Sequence, residues 1–235
     1  GLIINYAYRP FKWVSEASDS AEVYVVIIGF SNKIDRDPKY IFEEGTYKKV
    51  NHINAYLTES PNIFVERRSK PLFNIPKLHK GCQPTDGGNL IIEPDEINDF
   101  LSKEPKAKKY IKKLIGAREF LKNKDRYCLW LVDANPSDLK SMPLVMDRIK
   151  KTKEMRLSST SEGTRKLACK PHLFRETYNY ENYLVIPMLT PTSKKYIPMG
   201  YFDSNTISTN LNLITSNASL YHFGILQSNV HMGWT

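Results

Sequence analysis

Hydrophobic and polar positions divide this chain into stretches of different period. Residues 22–30 read EVYVVIIGF, a β-branched and aromatic run without strict alternation, which predicts a strand buried on both faces of a central sheet. Residues 6–14 (YAYRPFKWV) are expected to be its antiparallel neighbour across the loop SEASDS. Residues 32–49 are polar and turn-rich and read as a linker. From 50 to 92, extended pieces are broken by Pro61, Pro71, Pro76, Pro84 and the pair Gly87-Gly88, so irregular β structure is expected.

Residues 93–102 read as a short helix. Residues 105–115 predict another: Ala107, Tyr110, Ile111, Leu114 and Ile115 share one face, with Gly116 as a stop. Lys106, Lys108, Lys109, Lys112 and Lys113 lie opposite. RYCLWLV at 126–132 predicts a buried strand. After a turn at 133–138, Pro143 opens a helix to about Leu157. Met142, Val145, Met146, Ile149 and Thr152 line its inner side, with Arg148, Lys151 and Lys153 outside. Residues 183–189 and 195–202 predict a hairpin around 190–194, and 219–234 a helix. No apolar run approaches the roughly 18 residues of a membrane span.

Composition adds a direction. With 41% hydrophobic and 25% charged residues the chain reads as soluble and globular, one domain or one domain plus a fragment. It opens with Gly1 on a strand-like run without a signal-peptide pattern, as an excised piece would. The net charge of +9 is concentrated: residues 103–126 hold ten Lys/Arg against three Asp/Glu, and residues 140–175 repeat that count. The rest of the chain is net acidic, so two basic segments point to a polyanion. The second interleaves Arg156, Arg165, Lys166 and Lys170 with Ser158, Ser159, Thr160, Ser161 and Thr164, residue types suited to phosphates and base edges.

Enzymatic signatures are scarce. Hydrolase, zinc-protease, P-loop and dinucleotide motifs are absent. His52, His79, His172, His222 and His231 have no metal-ligand spacing, and no metal site is expected. Cys82, Cys128 and Cys169 form no CxxC pair, which suits thiols in a reducing cytosol. Pro94-Asp95 with Glu104 and Lys106 loosely matches a metal-dependent nuclease pattern, although its acids fall on predicted helices. Gly87-Gly88 suits either a phosphate-binding nest or a plain tight turn.

Ten stretches in order carry a resemblance to a family: FKWVSEA, VYVVIIGF, RRSKPLFNIPKL, GCQPTDGGNLII, RYCLWLVDANPSDL, MPLVMDRI, TRKLACKPHLF, YLVIPML, YIPMGY and YHFGILQSNVHMGW. Together they resemble the MmeI-like (type IIL) restriction–modification enzymes, which methylate adenine N6 with S-adenosylmethionine. The resemblance implies an α+β chain. Residues 1–34 would be the C-terminal end of the methyltransferase domain, a strand remnant of its Rossmann-like sheet. Residues 35–218 would be the target-recognition domain, and 219–235 the start of a C-terminal helical tail. The [NDS]PP[YFW] and glycine-rich cofactor motifs are missing, so no catalytic residue and no bound cofactor are expected here. The implied partners are duplex DNA and the catalytic methyltransferase region of the same polypeptide, in a bacterial cytoplasm.

Site residues follow by position. Phe11 or Trp13 matches the aromatic residue that stacks on a flipped base, a core anchor being the other reading. Base reading is expected of Ser159, Thr160, Ser161, Thr164 and Arg165, and of Thr192, Ser193, Lys194 and Lys195. Phosphate binding is expected of Lys106, Lys109, Lys113, Lys151, Arg156 and Lys166. A nucleic-acid-binding module without sequence preference is the alternative function, and a divergent nuclease the second. The apolar strand at 22–30 is expected to pack on the recognition domain or to pair with another copy.

Overall fold

The computed structural model describes residues 2–13, 23–32, 38–191 and 193–234, and the chain divides into two units, Gly1–Leu72 and Phe73–Thr235. In the first unit β1 (Ile3–Trp13), β2 (Val23–Ser31), β3 (Lys39–Glu43) and β4 (Thr46–Val50) form one sheet in the order β2-β1-β3-β4. The β1–β2 pairing is antiparallel, as expected, with Tyr8 opposite Ile27. SEASDS lies outside the described residues.

Two expectations are corrected in this unit. β2 is an edge strand, not a strand covered on both faces: Val26, Ile27 and Ile28 are exposed, and Tyr24 and Phe30 are 63% and 61% exposed. Among the described residues, Ala7, Ile41, Val50, Ile53 and Leu57 form a small core in this unit. Nor are residues 38–49 of the expected linker at 32–49 unstructured, residues 33–37 lying outside the described residues. β3 runs parallel to β1 and turns into β4 through Glu44 and Gly45, both at positive φ (49° and 76°). That pair of left-handed residues closes a two-residue hairpin whose twist matches the flanking strands. KYIFE alternates around the buried Ile41, a period-2 signal hidden among polar neighbours.

The second unit opens with β5 (His79–Lys80), β6 (Ile91–Ile92), α1 (Ile97–Lys103), β7 (Ile111–Ile115) and α2 (Ala117–Lys122). It continues with β8 (Tyr127–Leu129), α3 (Pro136–Lys140), α4 (Pro143–Leu157) and α5 (Glu162–Lys166). β9 (Tyr183–Pro187), β10 (Gly200–Phe202), β11 (Thr206–Ser208) and β12 (Asn212–Ser216) follow, and α6 (Leu220–Leu226) and α7 (Asn229–Trp234) close it. The strands form two sheets, β10-β9-β12-β5 and β11-β7-β8-β6. Leu90, Ile92, Leu114, Leu129, Leu131, Met142, Val145 and Ile207 lie at the centre of the larger core. The α+β class expected from sequence is what the structure has.

Helix α4 spans the predicted residues, Pro143 at its first turn, with Val145, Ile149 and Thr152 buried; Met146 is exposed instead. Residues 105–115 are not one helix. Pro105–Tyr110 is a 3₁₀ turn, and Ile111–Ile115 is a strand between β8 and β11. Its apolar positions fit both periods, and two waiting strand edges decide the outcome. The predicted hairpin forms with shorter strands, leaving a 188–199 loop. The predicted C-terminal helix is broken into α6 and α7 at Gln227-Ser228.

Cys82 and Cys128 are buried and Cys169 is exposed. Burial pushes the Cys82 thiol from 9.0 up to about 12, and raises Cys128 as well. At pH 8 a thiol alkylating agent is therefore expected to label Cys169 and spare the other two, read by peptide mass spectrometry. Because the unfolded thiol ionises first, stability should fall as pH rises from about 9 towards 12, and the Cys82→Ala protein should lose less over that window. Equal labelling of all three cysteines would contradict the burial.

Candidate nucleic-acid interface

The lysines expected on phosphates occupy separate elements. Lys106 and Lys109 share the 3₁₀ turn and meet α3: Lys106 donates to Ser141 Oγ at 3.4 Å, and Lys109 pairs with Asp138 while lying 4.9 Å over the Tyr110 ring. Lys113, on β7, pairs with Asp125 at 3.0 Å. Lys151 pairs with Asp147 along α4, and Lys166 with Glu162 along α5. Asp138 and Asp125 raise the pKa of Lys109 and Lys113, and Lys109 lowers that of Asp138. Such exposed pairs add little to stability, so a phosphate can replace the carboxylate at little cost. Lys112, expected on the outer face, instead donates to the Ser204 carbonyl at 2.7 Å, and burial lowers its pKa.

Arg156 corrects the phosphate assignment. It is 1% exposed, and its guanidinium donates to five carbonyl oxygens: Pro84, Thr85, Leu167, Lys170 and Leu173. Burial lowers its pKa. A planar fork of five donors suits two converging backbone segments, 84–85 and 167–173, and nothing of it is left for DNA. Arg156 is a brace beneath the segment that follows α5.

The two expected reading segments are each organised locally. Ser161 caps α5, its Oγ accepting from the Thr164 N–H at 3.4 Å, and Ser159 Oγ accepts from the Ser161 N–H at 3.2 Å. Arg165 folds back to donate to the Ser159 and Thr160 carbonyls, both at 2.8 Å. That leaves Thr160 exposed at the tip. In the 188–199 loop Ser193, Lys194 and Lys195 are exposed, and Lys195 Nζ lies 5.5 Å from the Tyr196 ring centre. Thr192 lies outside the described residues. Sequence reasoning missed the anchors of this loop: Tyr196 Oη donates to Asn229 Oδ1 at 2.8 Å, and Gln227 Nε2 to the Ile197 carbonyl at 2.6 Å. No local pattern announces such long-range partners.

In the first unit the β1–β2 register slips between Tyr8 and Phe11. Residues three apart then fall on one side. Tyr8 and Phe11 rings lie 6.4 Å apart, Phe11 and Trp13 6.3 Å, and Tyr8 stacks on Phe42 at 4.3 Å. Phe11 is half-buried and Trp13 is 54% exposed, so neither is a core anchor.

Comparison with known proteins supplies what geometry alone does not. The family model described as MmeI, target recognition domain, matches residues 59–235. The chain belongs to the MmeI target recognition domain family. A second model, MmeI, DNA-methyltransferase domain, matches residues 1–43. DNA methyltransferase A of Bacillus subtilis (strain 168) is 43% identical over 235 residues, 100% of this chain and 27% of that protein. A solved structure of the type IIL restriction-modification enzyme MmeI in complex with DNA superposes with a TM-score of 0.89 at 38% identity, covering 100% of this chain and 32% of that one. The chain thus spans about a third or less of these relatives.

Other candidate sites in this MmeI-family chain are occupied structurally. Glu104, the acid of the loose nuclease pattern, is buried and accepts from the Leu144 and Val145 N–H groups at 2.8 Å each, capping α4. Glu104→Ala should cost about 1.5–3 kcal/mol in urea unfolding, as for hydrogen bonds to a charged group; a change below about 0.5 kcal/mol, the ordinary surface value, would remove that role. Gly87 and Gly88 form a tight turn at positive φ, and the carboxylate of buried Asp86 accepts from the N–H groups of Gly88 and Leu90. With that anion built in, the phosphate-nest reading fails. Among the described residues no three His, Cys, Asp or Glu could hold a metal ion, and no helix is long and apolar enough to cross a membrane.

Proposed function

We propose that this chain reads the sequence of duplex DNA for a type IIL restriction–modification enzyme whose catalytic region methylates adenine N6 with S-adenosylmethionine in the bacterial cytoplasm. The observation that carries the reading is the whole-chain similarity to an MmeI structure in complex with DNA. Lys106, Lys109, Lys113, Lys151 and Lys166 hold phosphates, while the 159–165 and 192–195 segments meet base edges in the major groove. Phe11 or Trp13 stacks on the flipped adenine.

The β1–β2 hairpin is a remnant of the Rossmann-like sheet, and the open apolar edge of β2 continues that sheet in the full polypeptide. β3 and β4 extend the same sheet, which supports a boundary with the recognition domain after β4 in place of residue 34.

Selection of bound duplexes from a randomised library at low and moderate salt tests the reading. An enriched short motif is expected. Binding without enrichment, with a log–log salt slope of roughly −4 to −5 for about five phosphates, would replace it with a module lacking sequence preference.

A further inference from the structure

We propose that α6 and α7 act as a clamp that sets base preference through the 188–199 loop without touching DNA; this rests on the loop being a base reader. Residues 188–199 include no strand or helix among those described, yet a side chain that discriminates bases must be held within about 0.5 Å. The N-terminal half has a backbone bond from Met188 N–H to the Leu211 carbonyl and an internal turn, Lys194 N–H to the Pro191 carbonyl. The C-terminal half is held by the helices. Tyr196 bonds Asn229, Gln227 bonds the Ile197 carbonyl, and the Tyr201 ring stacks on Phe223 at 6.1 Å. Lys195 precedes the pinned Tyr196 and lies over its ring.

The break between the two helices serves this geometry. Gln227 and Asn229 are two residues apart, and on one continuous helix positions i and i+2 do not face the same neighbour. Gln227 instead ends α6, its backbone N–H donating to the Phe223 carbonyl, and Ser228 Oγ accepts from the His231 N–H to start α7. Both side chains then reach one loop. A specificity-setting position therefore lies outside either segment that faces DNA.

The test uses the full-length polypeptide, with binding competition between duplexes carrying the selected motif and single-base variants of it. Asn229→Ala, Gln227→Ala and Tyr196→Phe should each reduce discrimination about three- to ten-fold, the worth of one hydrogen bond. The loss should fall at the base pair where Lys195→Asp changes preference, with salt slope and Tm retained. Tyr196→Phe keeps the ring and its packing, and its double with Asn229→Ala should be no worse than either single change. If Lys195→Asp changes preference while the three variants leave discrimination intact, or weaken all duplexes equally, the clamp is overturned and the reading loop stands. If neither Lys195→Asp nor the clamp variants alter preference, the assignment of the loop itself falls.

Discussion

Arg156→Ala is expected to lower the unfolding free energy by about 3–5 kcal/mol, as when one side of a buried charged network is removed. At roughly 2–4 °C per kcal/mol for a chain of this size, Tm should drop by roughly 6–20 °C. The substitution would take from the five carbonyls of Pro84, Thr85, Leu167, Lys170 and Leu173 the one buried donor they share. Lysine should rescue only part of the loss, because a single ammonium with three donors cannot reach all five carbonyls. Lys151→Ala, five residues earlier on the same helix, should stay within about 0.5 kcal/mol, since its pair with Asp147 is exposed. Urea unfolding of the three variants decides this, and an Arg156→Ala protein as stable as Lys151→Ala would refute the brace.

The second large effect is on DNA. Lys195→Asp should change which base is preferred at one position by roughly 5- to 150-fold, the 1–3 kcal/mol of one base-edge contact plus the reversed charge. Lys109→Ala should weaken every sequence similarly and reduce the salt slope by about 1, because a phosphate contact carries no sequence information. Library selection repeated with each variant separates the two. If Lys195→Asp also weakens all sequences alike, the 192–195 segment positions the backbone and does not read bases.

Some of this architecture was legible before any coordinates. Pro143 followed by apolar residues at helical spacing announced α4, and YLVIPML with YIPMGY announced the β9–β10 hairpin. Family membership was legible as well, since ten motifs in order constrain a chain far more than any local propensity. Residues 105–115 misled because Ile111, Leu114 and Ile115 satisfy a helical stripe and a strand equally, and the edges of β8 and β11 lie distant in sequence. The Glu44-Gly45 turn was readable in principle, but its short strands were masked by surrounding polar residues.

The sequence by itself determined the α+β class, the family and the concentration of positive charge in two segments, because composition, period and motif order are local properties of the chain. Which cation faces solvent and which is buried under carbonyls was decided only by tertiary structure. Arg156 and Lys151 lie on one helix and look alike in sequence, yet one meets the converging 84–85 and 167–173 segments and the other meets water. Likewise, Gln227 and Asn229 read as ordinary helix residues until the fold brings Tyr196 and Ile197 within hydrogen-bond reach. The reason is physical: a polar side chain takes its role from the partner it finds, and these partners lie far away in the chain.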